Sequence, residues 1–253
     1  MGRMLLRFSF SNFRSFRDEQ EFSLIASPLK GRSSAIFVPG LKEGILPVAA
    51  VYGANASGKT NLLIVCEGGV TEPRYFTDLR ISERALLDLD IVTAGVPKSA
   101  VERAVELRRD GQNDARRSKD RFLRYDEVWC VFDVDEHPRV AEAKQQAGDN
   151  GLEVAISNPC FELWALLHFQ DRAANINRHR VQHLCRNHMP GYEKELNYAQ
   201  LETRYEDTAR RAWRLDHIHE LDGRPGSNPS TGVHRLVAVI KQRGQGHLQT
   251  RNL

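Results

Sequence analysis

Strong net charge, paired cysteines and long apolar runs are all missing from this chain. Its 253 residues carry a formal charge of +3, too little to demand a nucleic-acid partner and too little to oppose one. The four cysteines, Cys66, Cys130, Cys160 and Cys185, lie far apart and form no CxxC, so they read as reduced thiols in a cytosol rather than a disulfide framework. No apolar run has the length of a membrane span, and the first residues lack the apolar core and small-residue cleavage site of a signal peptide. A cytoplasmic protein without membrane contact is expected. At 41% hydrophobic and 27% charged residues it is globular, with material for one large or two small domains.

What the chain does have is DEVWCVFDVDEHP, residues 126–138. Val128, Trp129, Cys130, Val131 and Phe132 form an apolar run rich in β-branched and aromatic residues, the pattern of a strand buried on both faces of a parallel sheet. Asp133, Asp135 and Glu136 follow at once. Side chains alternate along an extended backbone, so Asp133 and Asp135 are expected to point the same way where the strand ends, with Glu136 on the other side. Ligands bind at the carboxyl ends of strands in open α/β sheets, and paired anionic oxygens there suit a hard cation such as Mg2+. Without one, the charges repel and raise each other's pKa. The competing reading is that these acids only cap the next helix.

Nearer the start, residues 4–10 and 21–25 alternate apolar and polar and read as two short antiparallel strands. The run ILPVAAVY, residues 45–52, reads as another buried strand and leads into GANASGKT. That octapeptide fits the P-loop pattern. Backbone amides of the loop holding Gly53, Asn55 and Gly58 would cradle the phosphates of ATP, Lys59 would reach the outer ones, and Thr60 would offer its hydroxyl to Mg2+. A working P-loop feeds a helix whose amino end completes the phosphate site. Here Leu62 to Cys66 read as a strand, and Glu67-Gly68-Gly69 would break a helix after about two turns. Residues 1–61 are therefore expected to be a truncated ATPase-like fragment, with a vestigial glycine loop and an active nucleotide site both open.

From Leu62 the pattern becomes regular. A strand at 62–66 ends in Glu67, Gly68 and Gly69 allow a tight turn, and Thr71 is placed to cap a helix with Pro73 in its first turn. Tyr75, Phe76, Leu79, Leu86 and Leu87 would form its apolar side. A short strand at 90–93 and a helix at 97–109 follow. Residues 111–124 look polar and mobile, and their Arg116, Arg117, Lys119, Arg121 and Arg124 read either as a loop contacting a nucleic-acid backbone or as a solvated charged loop. After the Asp133 strand come a helix at about 139–147, a strand at 152–156 ending in Ser157-Asn158-Pro159, and a helix at 160–169 that is apolar nearly all round except at Glu162.

This alternation implies an α/β fold, a parallel sheet flanked by helices, with a small amino-terminal β segment and a helical carboxyl-terminal part. Glu67 and the aspartates would then share one edge of the sheet. Three carboxylates from two strand ends can hold one or two Mg2+ ions and clamp a phosphodiester. The expected domains are 1–61, 62–172 and a helical extension at 173–243, with 244–253 a disordered tail. Within the extension, residues 175–188, 193–219 and 232–242 have helical periodicity, and 222–229 read as a linker. His179, His183, Cys185 and His188 have irregular spacing for zinc, and a solvated helix is the better reading.

Four segments, IVCEGGVTEPRYF, VWCVFDVDEHP, ISNPCFELWALLHF and NPSTGVHRLV, resemble the RloB family in this order over about residues 62–242. The resemblance implies a Toprim-like domain associated with bacterial antiviral defence. It implies a general acid or base and metal ligand at Glu67 and a metal-binding DxD pair at Asp133 and Asp135, with Glu136 a further metal ligand and Asn158 and Glu162 supporting the site. Residues 1–63, opening MLLRFSFSNFRSF, resemble the start of an RloA-like or RecF-like ABC-type ATPase, the family's usual separate partner. The expectation is a Mg2+-dependent nuclease of an abortive-infection system acting on DNA or RNA. A P-loop ATP-binding protein and a non-catalytic module that binds nucleic acid or a partner are the alternatives, and an oligomer is left open.

Overall fold

β3, Thr60–Cys66, is buried from Leu62 to Cys66 and is an inner strand of the protein's main sheet. The computed structural model describes residues 7–10, 20–23, 60–85, 87–134, 137, 139–193 and 195–249. The chain divides into two compact units, 1–59 and 60–253. In the first, β1 (Arg7–Phe10) and β2 (Gln20–Ser23) pair antiparallel with Phe8 opposite Phe22, as the alternation predicts.

In the second unit the sheet runs β4-β3-β5-β6-β7, with β4 at Leu87–Thr93, β5 at Glu127–Asp133, β6 at Glu153–Asn158 and β7 at Ser230–Thr231. β3 pairs in parallel with β4 and β5, and β5 with β6. β7 is antiparallel to β6, a departure from the all-parallel expectation. At two residues it is too short to show a period in the sequence. A hydrogen bond between the buried hydroxyls of Ser157 and Thr231, 3.0 Å, helps to hold it.

Alternation along the strands builds two cores. Leu62, Ile64, Cys66, Trp129 and Val131 face one layer, which holds α1 (Thr71–Ser82), α4 (Glu162–Leu167) and α7 (Val233–Gln249). Leu63, Val65, Val128, Cys130 and Phe132 face the other, formed by α2 (Pro97–Ser118) and α3 (Val140–Asp149). Both faces of β3 and β5 are therefore apolar, and each large side chain buried this way contributes about 1.5–3 kcal/mol. All four cysteines are free and buried. Among the described residues no helix is long and apolar enough to cross a membrane.

Several boundaries differ from the sequence reading for physical reasons. α1 packs through Tyr75, Phe76 and Leu79, but Thr71 opens the helix instead of capping it, and Leu87 lies in β4. Leu86 is outside the described residues. α2 continues to Ser118, through much of the segment expected to be mobile. Its polar turns are supported by pairs one turn apart, such as Arg103–Glu106 and Arg117–Asp114. Gly111 lets the helix pass the turn at 121–123, where a Cβ would lie 2.8 Å from the Leu123 carbonyl oxygen. Residues 193–219 are not one helix. Leu196, Tyr198 and Leu201 are buried around 3-10 turns at 198–200 and 202–204, and α6 spans only Tyr205–Leu221. α5 is Arg178–His188, and α7 extends to Gln249, into the expected tail.

Candidate active site

The parallel register carries Glu67 to the carboxyl edge of the sheet, where its N–H still donates to the Val131 carbonyl at 2.9 Å. Its carboxylate is occupied on both oxygens. Oε2 accepts the Asp133 backbone N–H at 3.0 Å, and Oε1 lies 2.5 Å from His137 Nε2. The Gly68-Gly69 turn then starts α1, whose first turn holds Glu72 at 6% exposure. A Cβ on Gly68 would lie 2.3 Å from Glu72 Oε2, so the turn leaves Glu72 its space.

Asp133 closes β5 on the neighbouring strand. It is half-buried, and its Oδ1 is shut off from solvent with no hydrogen-bond partner among the described residues. α4 brings in Glu162, whose Oε1 accepts from Tyr192 Oη at 2.8 Å and from Gln182 Nε2 at 3.1 Å. Glu67, Glu72, Asp133, Glu162, Arg178 and Gln182 line one pocket of about 230 Å³ together with the Gly68–Thr71 turn and Phe161.

Burial and neighbouring charge oppose the ionisation of two of these carboxyl groups, Asp133 and Glu72. Burial first, then the charges of Glu72, Glu162 and Glu67, push the Asp133 carboxyl well above its usual range, against the Phe161 backbone amide. Glu72 is raised too, mainly by burial, with Glu162 and Glu67 adding to it and the amides of Glu72 and Gly68 opposing. The Tyr192 hydroxyl beside Glu162 is raised by burial and by that carboxylate. Such a cluster destabilises the fold at neutral pH unless positive charge neutralises it.

Among the described residues no group of three or more His, Cys, Asp or Glu side chains is arranged to hold a metal ion. The donor set nevertheless fits one in kind. Its oxygens are hard and anionic, and Asp133 Oδ1 is buried without the partner that such an atom requires.

Of the residues anticipated from sequence, Glu67, Asp133 and Glu162 meet here. Asp135 and Glu136 lie outside the described residues, as do Gly53, Asn55, Gly58 and Lys59. Asn158 serves the loop before β7 instead, which it braces by donating from Nδ2 to the Gly226 carbonyl at 2.9 Å. Thr60 opens β3 opposite Leu87, about 20 Å along the strand from Glu67. Thr60 and Asp133 therefore occupy opposite edges of the sheet. The basic run 116–124 also belongs to the far edge, where Asn61 Nδ2 donates to the Arg124 carbonyl at 3.0 Å. Glu72, His137 and Tyr192 were missed. An acid in the first turn of a helix entered through Gly-Gly was the available signal for Glu72, whereas nothing in the sequence marked Tyr192.

Fold and site together define an α/β protein with an acidic pocket at the carboxyl edge of a largely parallel sheet. The model of the RloB-like protein family matches residues 62–240, which include every described residue of that pocket. The chain belongs to this family. No curated protein and no solved structure matches it.

Proposed function

We propose that the chain is a Mg2+-dependent nuclease with a Toprim-like site, serving bacterial antiviral defence alongside a separate RloA-like ATPase. The observation that carries this reading is the unpartnered Asp133 oxygen among three further carboxylates at a strand edge. Asp133 and Glu72, with Asp135 and Glu136 from the adjoining segment, would hold the cation. When bound, it supplies positive charge to the phosphodiester and to its departing oxygen.

The remaining work falls to the protein's own groups. Glu67 is held by the Asp133 amide and by His137, and it serves as general base. It takes the proton of the water whose oxygen bonds to phosphorus as the P–O ester bond breaks. Glu162, fixed by Tyr192 and Gln182, strengthens the negative field that draws a cation into the pocket.

Cleavage of single- and double-stranded DNA and RNA oligonucleotides in millimolar Mg2+ tests the reading. Asp133→Asn and Glu67→Gln are expected to lose about a hundredfold or more of the parental rate with unchanged circular dichroism. Parental cleavage by Asp133→Asn refutes it. A P-loop nucleotidase is the second reading, favoured by GANASGKT but opposed by Thr60, which opens a strand and so supplies no helix amino end. Lys59→Ala leaves cleavage unchanged under the first reading and removes ATP binding under the second. Oligonucleotide binding without any cleavage by the parent would mark a non-catalytic module instead.

A further inference from the structure

An acidic pocket repels the phosphodiester it is to cut, so a substrate strand needs positive charge beside it. The basic run 116–124 lies at the wrong edge of the sheet, and in α7 Lys241 and Arg243 pair with Glu83 and Glu127. That leaves α5, RHRVQHLCRNH, which contains three arginines and three histidines and no acid. Val181 and Cys185 bury one side of it. Helical spacing sets His179, Gln182, His183 and Arg186 along one stripe. Gln182 is in that stripe and also lines the carboxylate pocket. The stripe therefore borders the pocket.

His179, His183 and Arg186 are exposed, and Arg186 makes no ion pair among the described residues. Exposed imidazole and guanidinium groups along one side of a helix are features that hold nucleic-acid strands, through phosphate pairing.

We infer that the exposed stripe of α5 binds the sugar-phosphate backbone of the nucleic-acid strand whose phosphodiester enters the pocket. This rests on the nuclease reading for the identity of the strand. The helix is about 16 Å long, enough to follow a few nucleotides away from the site.

Fluorescence anisotropy with labelled DNA and RNA oligonucleotides in EDTA reads binding without cleavage. His183→Glu/Arg186→Glu is expected to bind about tenfold more weakly than the parent, with the slope of log affinity against log salt reduced by about 1. Arg103→Glu/Arg109→Glu, an equal or greater loss of positive charge on α2, is expected to change affinity less than about twofold. Parental affinity in the α5 variant overturns the inference, as does equal weakening by both variants. Anionic phospholipid vesicles bound in place of the oligonucleotides also overturn it. Asp133→Asn separates the two proposals. If the nuclease reading alone fails, Asp133→Asn cuts like the parent while the α5 variant still loses affinity. If the α5 inference alone fails, the α5 variant binds normally and Asp133→Asn is still inactive.

Discussion

Asp133 gives its backbone N–H to Glu67 Oε2 at 3.0 Å, while its own Oδ1 has no hydrogen-bond partner among the described residues. The contact ties the ends of β3 and β5 together and leaves one carboxylate engaged on both oxygens and the other with an oxygen open. The satisfied group is suited to act as a positioned base. The other is suited to a cation.

Relief of repulsion predicts that Asp133→Asn is more stable than the parent at neutral pH without metal. A carboxyl whose folded pKa is raised holds its proton more tightly in the folded state, so stability falls as pH rises above the ordinary carboxylate range. The difference in Tm between variant and parent should shrink as pH is lowered toward that range. Each kcal/mol of relief appears as about 2–4 °C. Added Mg2+ should raise the Tm of the parent and leave the variant unchanged; equal responses would contradict this.

Gly68→Ala tests the space left for Glu72. The new methyl would meet the Glu72 carboxylate, which must swing away because the backbone of the turn is tied to the strand end. Cleavage should drop about tenfold or more, while stability shifts by no more than about 1 kcal/mol. Parental activity in this variant would remove Glu72 from the site.

Tyr192→Phe removes the hydroxyl donor to Glu162 Oε1 and leaves the Gln182 amide in place. A hydrogen bond to a charged group is worth about 1.5–3 kcal/mol. Chemical denaturation should report a loss of that order, with a rise in the Mg2+ concentration needed for half-maximal cleavage. An unchanged metal requirement would make Glu162 purely structural.

Asp216 in α6 offers a control away from the pocket. Burial pushes its carboxyl up to about 6, with Glu220 adding to the effect and Arg235 and His219 opposing it. The folded state holds this proton more tightly than the unfolded one, so its contribution is present at about pH 4 and lost as pH rises through about 6. Asp216→Asn should therefore gain on the parent across that window by about 3 kcal/mol and stay level above it. Parallel stability curves would contradict the shift.

Much of the sheet was legible because burial on both faces leaves unbroken apolar runs at 62–66 and 128–132, each ended by an acid. Their parallel pairing follows from the helices between them, and that alone brings Glu67 and Asp133 together. β7 was not legible, since two residues carry no period and its place is set by hydroxyl contacts with β6. The polar half of α2 has no apolar stripe and is helical through ion pairs and a glycine fitted to a turn. Glu162 stood out as an acid in an apolar helix, but the groups that hold it come from α5 and a loop beyond, which the local sequence does not reveal.

Isothermal titration of Mg2+ into the full-length chain and into Asp133→Asn probes the cation directly, apart from any cleavage. The parent should take up the ion with a saturable heat, and Asp133→Asn should give none at the same concentrations. Equal binding by both proteins, or no binding by the parent, would show that the acidic edge is not a metal site.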